Sequence, residues 1–231
     1  MKTIYLTVDD GPSESLGSTL DFLQANDVPA ILFCIGERMR RHPELVKDAV
    51  SRGFILGNHS HTHDRFSQMT FEQARRDILM ADVTIEELHR EAGVERRARF
   101  FRFPFGDRGG ALNPPLNSYL RDLRYRHPRF NGVCYDSYTR ERQIGHVDVL
   151  WTLDARDHQL TRACDILSTL NSVDSETGGT LSSSTSDDIL LMHDDTTLTG
   201  VFVEVIATLL ERDYCFALPA ELSEEGGQAC E

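Results

Sequence analysis

The chain has 231 residues, of which 37 are acidic and 24 basic, for a formal net charge of −13; 40% of its side chains are hydrophobic and 26% charged. This is the composition of a soluble globular protein long enough for one large domain. Charge this negative excludes a binder of nucleic-acid backbones and a protein docked on an anionic membrane, and no stretch approaches the roughly 18 apolar residues of a membrane span.

Strand-like and helix-like runs alternate along the chain. Ile4–Val8 is a short apolar run that reads as a buried strand. It reaches Asp9 and Asp10 too soon to hold a secretory apolar region, so the expected location is the cytoplasm, unless the chain is a trimmed product. Leu16, Leu20 and Leu23 have helical spacing, and Ala30–Ile35 is a second apolar strand. Pro43 sits at a tolerated first-turn position of a helix running to about Arg52. Phe54–Leu56 is a third strand. Thr70 and Gln73 form a capping-box signature at the start of a long helix ending near Gly93. Further strands are expected at Phe100–Phe103, Asp148–Leu153, Ile189–Met192 and Tyr214–Leu218, with a helix over Gly200–Arg212.

The order predicts an α/β fold: about seven parallel strands covered by helices in a single domain, open or closed into a barrel. Residues 178–188, rich in Ser, Thr and Gly, read as a flexible loop. After Pro219 the chain is expected to be mobile, which sets the domain at 1–222 and a short acidic tail at 223–231. The five cysteines include no C-x-x-C pair and read as inert thiols. Oligomeric state leaves no signal.

Polar clusters fall at the carboxyl ends of the predicted strands: Asp9-Asp10, His59-Ser60-His61-Thr62-His63, Arg102-Phe103-Pro104-Phe105-Gly106, Asp154 with Asp157, and His193-Asp194. In a parallel α/β barrel those ends share the face that carries active sites. His59 and His63 point the same way on a helical turn, whereas on an extended strand His61 would align with them. Two histidines and a carboxylate, from Asp9 or Asp10, make a three-ligand metal site with positions left open for water. Two adjacent carboxylates repel if both ionise in a confined place; a metal on one relieves this and leaves the other as a base.

Together these segments resemble the polysaccharide deacetylase family, carbohydrate esterase family 4 or the NodB homology domain. Thr7-Val8-Asp9-Asp10-Gly11-Pro12 is similar to its first motif, with Val8 in place of the usual aromatic; His59–His63 and Arg102–Gly106 match the second and third. Asp154-Ala155-Arg156-Asp157-His158 matches the fourth, with His158 where the family usually has Trp, and Ile189–His193 matches the fifth. The resemblance implies a distorted (β/α) barrel and a hydrolase that removes N-acetyl groups from an N-acetylglucosamine-type saccharide, chitooligosaccharide or peptidoglycan-like. It implies Asp9 as base and Asp10, His59 and His63 as ligands of one divalent ion, most often zinc. It implies Arg102 as the partner of Asp9, and the Phe105 N–H as an oxyanion donor. His193 would be the general acid oriented by Asp157, and Leu191 the wall against the acetyl methyl. His158 would stand in the substrate groove. The alternatives are an O-acetyl esterase of the acetylxylan type using the same residues, and a non-catalytic glycan-binding relative. Residues 107–146 hold seven arginines and Tyr119, Tyr125, Tyr135 and Tyr138. They read as a solvated helix plus loop or, with Tyr135 and Tyr138 facing sugar rings, as a wall of the groove.

Overall fold

The computed structural model describes residues 2–223. The proposed tail at 223–231, apart from the backbone of Ser223, lies outside the described residues. Six strands form one parallel sheet: β1 Thr3–Gly11, β2 Ala30–Cys34, β3 Ile55–Asn58, β4 Leu153–Asp154, β5 Asp188–His193 and β6 Cys215–Phe216. The order is β3-β2-β1-β5-β4, with β6 paired to the start of β1. The helices are α1 Leu16–Ala25, α2 Gly36–Arg41, α3 Pro43–Ser51, α4 Phe71–Ala92, α5 Asn113–Asp122, α6 Asp136–Ile144, α7 Ala163–Asn171, α8 Thr199–Glu211 and α9 Ala220–Ser223. Among the described residues no helix is long and apolar enough to cross a membrane.

Strand alternation builds two cores. Ile4, Leu6 and Val8 face outward and pack with Leu16, Leu20, Leu23, Val205, Ile206 and Leu209 of α1 and α8. Tyr5 belongs to the inner cluster with Ile31, Phe33, Ile55, Phe100, Val149 and Ile189. Longest of the helices, α4 starts with the expected capping box, Thr70 and Gln73 each bonding the other's backbone N–H, and stops at Gly93, whose φ of 68° ends the helical run.

The two strands expected at 100–103 and 148–153 are reduced to fragments. Asn58 N–H donates to the Phe100 carbonyl, Arg102 N–H donates to that of Asn58, and Val149 N–H donates to that of Phe101. Only an isolated bridge joins Asn58 to Phe101. The cause is Arg102: its Nε and Nη2 donate to the carbonyls of Val149 and Leu150, groups a regular ladder would use. These fragments carry the ring of strands from β3 round to β4 and β5, which makes the barrel distorted rather than open.

Three other expectations are corrected. Residues 178–188 are tied down: Thr180, Leu181 and Ser186 are buried, Lys2 Nζ donates to the Thr180 carbonyl, and Thr152 Oγ1 donates to the Asp188 carboxylate. The chain after Pro219 continues as α9, with Leu222 in the inner core. Tyr138 is 4% exposed among Tyr5, Phe130 and Val149, and Tyr135 packs on the same cluster, so neither lines a groove at the strands' carboxyl ends.

Candidate active site

Four of the five polar clusters stand at the end of a strand, and Arg102–Gly106 follows the isolated Asn58–Phe101 bridge. Asp9 ends the regular run of β1, in register with His193 of β5 and Phe33 of β2. Strict alternation would send the next carboxylate to the opposite face. A bulge between Asp9 and Gly11, with Asp10 at φ 67°, turns it back to the rim instead. Left-handed backbone recurs at Ser60 (φ 65°), His63 (φ 63°), Phe105 (φ 58°) and Arg156 (φ 51°), all within the five motifs. Such conformations are costly for residues with a Cβ and collect where a side chain must be aimed.

Asp10 Oδ1 lies 3.0 Å from His63 Nε2 and 3.4 Å from His59 Nε2. The Nδ1 of His59 is 2.9 Å from the Arg102 carbonyl. A carbonyl only accepts, so Nδ1 carries the proton and the Nε2 lone pair faces Asp10. Asp10 Oδ1 is buried with no hydrogen-bond partner. The three atoms fit one ion: bonds of about 2.0–2.1 Å in tetrahedral geometry place ligand atoms about 3.3 Å apart. Asp10, His59 and His63 are thus a candidate metal triad. Burial would raise the Asp10 pKa, but when the two imidazoles are protonated their hydrogen bonds and charge outweigh it and hold the carboxyl well below the usual range.

His61 takes no part. It is buried, and its ring packs where a Cβ on Gly36 would collide with it. The turn from His59 to His63 is neither helix nor strand, because Asp77 of α4 accepts from the N–H groups of His61 and Thr62 and holds it tight.

Asp9, 3% exposed, accepts from Arg102 Nη1 at 2.7 Å. The same Nη1 donates to Thr7 Oγ1, and the guanidinium lies 4.4 Å from the Phe33 ring centre and 5.5 Å from that of Trp151. Arg102 is 1% exposed and neutralised by Asp9, and its remaining donors end on carbonyls. His193 Nδ1 stands 2.6 Å from Asp157 Oδ1. Burial pulls the His193 pKa down, but the Asp157 hydrogen bond and charge, reinforced by Asp9 and Asp10, prevail and push it up to about 9.

In the turn Pro104–Gly106, the N–H groups of Gly106 and Asp107 are spent on the carbonyls of Phe103 and Pro104. Phe105 stands at its tip, 55% exposed, with its ring 4.5 Å from that of His63 and under the Arg65 guanidinium. Leu191 is buried in β5 beside Thr7 of β1 and Asp154 of β4. His158 is exposed, its ring 5.3 Å from that of His193.

Arg38 gave no sequence signal, and Asp194 gave none beyond its place in the His193-Asp194 cluster. Arg38 of α2 donates through Nη1 to the Asp10 carbonyl, and the Asp194 carboxylate accepts from both the N–H and the hydroxyl of Ser13. Trp151 packs against Gly106, where a Cβ would come within 3.1 Å of its ring. Being the sole Trp of the chain, next to the expected strand end, was the one usable hint for it.

A family model described as polysaccharide deacetylase matches residues 1–127, which include the first three motifs. A chitooligosaccharide deacetylase of Rhizobium leguminosarum bv. trifolii is 29% identical over 125 residues, covering 54% of this chain and 56% of that protein. A peptidoglycan-N-acetylglucosamine deacetylase of Bacillus cereus is 32% identical over 105 residues, covering 45% and 36%. The chain thus matches only part of the length of these relatives. A family 4 carbohydrate esterase from Streptomyces lividans, solved in complex with acetate, shares the fold with a TM-score of 0.64 at 24% identity, over 95% of this chain and 94% of that one. With more than half of its length matched, the chain belongs to the polysaccharide deacetylase family.

Proposed function

We infer that the chain is a metal-dependent hydrolase that removes N-acetyl groups from an N-acetylglucosamine-type saccharide and releases acetate. One observation carries the reading: the unpartnered Asp10 Oδ1 facing two imidazole nitrogens, beside an Asp9 whose charge is separately held by Arg102. One carboxylate is available to an ion and its neighbour is reserved for a proton. The relatives named for chitooligosaccharide and peptidoglycan deacetylation support a sugar amide as the substrate.

Asp10, His59 and His63 would hold a divalent ion, zinc by the chemistry of this donor set, which would supply a Lewis acid for the acetamide carbonyl and a bound water acidic enough to attack near neutral pH. Asp9 takes the proton of the attacking water, and Arg102 keeps its carboxylate aimed. The Phe105 N–H, at the tip of a turn whose next two N–H groups are already used, donates to the developing oxyanion. His193 gives its proton to the departing nitrogen, which would otherwise leave as an amide anion. Asp157 orients that imidazole, and Leu191 bounds the space for the acetyl methyl.

The test is acetate release from N-acetylated chitooligosaccharide, peptidoglycan fragments and acetylxylan, before and after chelation and with zinc restored. Release from an amide substrate that chelation abolishes and zinc restores is expected. Release from acetylxylan alone would make the protein an esterase, and zinc-loaded protein inert on all three would overturn the reading.

A further inference from the structure

Among the described residues a second group of metal-binding character exists: Asp157, His158 and His193 each offer a ligand atom, all within 4.8 Å of one another. The geometry points to a second, inhibitory divalent-cation site on His193 and His158, backed by Asp157. This rests on the reading that His193 is the general acid.

Three features of the rim support it. His193 commits Nδ1 to the Asp157 carboxylate, whose other oxygen accepts from the His193 backbone N–H. A carboxylate behind Nδ1 fixes the ring and makes Nε2 a better donor, the arrangement common behind metal-bound histidines. His158 sits edge-on to that ring at 5.3 Å and is exposed, and its Nε2 touches only the neighbouring Gln159 amide, so it is free to turn toward a shared ion. Asp9, Asp10 and Asp154 stand at the same strand ends, on a chain of net charge −13, which raises the local concentration of cations. The indole that the family usually carries at position 158 has no lone pair to offer, so the site belongs to this chain.

Occupancy has a defined chemical consequence. Binding at His193 Nε2 exchanges one proton for one ion: imidazolium plus M²⁺ gives the neutral imidazole complex plus H⁺. The proton lost is the one the leaving nitrogen needs. The first ion is therefore required and the second is inhibitory, so the rate against zinc should rise and then fall.

Equilibrium zinc binding to the metal-free protein, with the rate measured at one equivalent and at excess zinc, tests this. Wild type should bind two ions, and His158→Gln and His59→Ala one each. Relative to each protein's own rate at one equivalent, excess zinc should slow wild type about fivefold or more and His158→Gln less than about twofold. Two ions retained by His158→Gln, or one ion on wild type that His59→Ala removes, overturns the second site and leaves the reading of function standing. Stoichiometry unchanged by His59→Ala overturns the reading of function instead.

Discussion

His193 and Asp157 are joined at two points: Nδ1 to Oδ1 at 2.6 Å, and the His193 backbone N–H to Oδ2 at 2.8 Å. This double grip sets the tautomer, the ring direction and the proton affinity together. With the imidazole pKa at about 9, His193 holds its proton across neutral pH, as a general acid must. The falling limb of the rate against pH should therefore lie near 9 and should vanish in His193→Ala. Asp157→Asn should move it toward the ordinary imidazole value near 6.5, cutting the rate at pH 8 by about 30-fold from the protonated fraction alone. A limb unmoved by Asp157→Asn would detach the pair from the chemistry.

The same shift is a statement about stability. A histidine with a folded pKa above its unfolded one binds its proton more tightly in the native state. Its contribution is complete below about 6.5 and is lost as pH rises through about 9. Urea unfolding of the metal-free protein should show stability falling over that window, and a smaller fall in His193→Gln. Parallel curves for the two proteins would contradict the assignment.

That these polar residues would meet on one rim is legible because polar side chains at the ends of apolar strands have few structural uses. What was not legible has local causes. The backbone ladder at 100–103 and 148–153 is interrupted by a side chain, Arg102, on the carbonyls of Val149 and Leu150, and no residue pattern announces that. Alternation would have parted Asp10 from Asp9, and only the bulge brings both to one rim. Residues 178–188 have a loop composition, yet Lys2 and Thr152 lie far from most of them in sequence and donate hydrogen bonds to Thr180 and Asp188. Of the two readings open for residues 107–146, the groove wall fails at Tyr138, which fills the inner core with Tyr5 and Phe130, because an aromatic in an arginine-rich stretch looks alike in either role.

Arg102 divides its donors between Asp9, Thr7 and two backbone carbonyls, with almost no solvent contact. Removing one member of a buried, hydrogen-bonded ion pair costs about 3–5 kcal/mol, because its partner stays behind uncompensated. Arg102→Met should lower unfolding free energy by that order and abolish activity. Asp9→Asn/Arg102→Met should recover part of the stability and none of the activity. A single variant as stable as wild type would mean that the Asp9–Arg102 pair contributes nothing to the fold.

Asp9 and Asp10 should separate by experiment despite being neighbours. Asp9→Asn keeps an oxygen for Arg102 and leaves Asp10, His59 and His63 untouched, so zinc binding should persist while the rate falls by about 100-fold or more, the size of a missing base. Asp10→Asn and His59→Ala should each lose the one zinc held by Asp10, His59 and His63, and activity with it. Equilibrium dialysis beside acetate release reads both quantities. Loss of zinc in Asp9→Asn would exchange the two roles.

Phe105 and Tyr138 make the last contrast, between an aromatic at the rim and one in the core. Phe105 is 55% exposed and rests on the ring of His63 and the guanidinium of Arg65. On the proposed function, its exposed face would stand beside a sugar bound at Asp10, His59 and His63. Phe105→Ala should leave the unfolding midpoint nearly unchanged. It should raise KM for an oligosaccharide more than for a monosaccharide, since stacking an apolar ring face contributes about 0.5–1.5 kcal/mol per contact. Tyr138→Ala should do the reverse. It opens a cavity beside Tyr5, Phe130 and His127 and should cost about 3–5 kcal/mol of stability, as for other buried aromatics. The activity of the folded fraction should hold at wild-type KM on both substrates. Urea unfolding with kinetics on the two substrate lengths separates the cases; a Tyr138→Ala protein of normal stability and raised oligosaccharide KM would return that tyrosine to the groove.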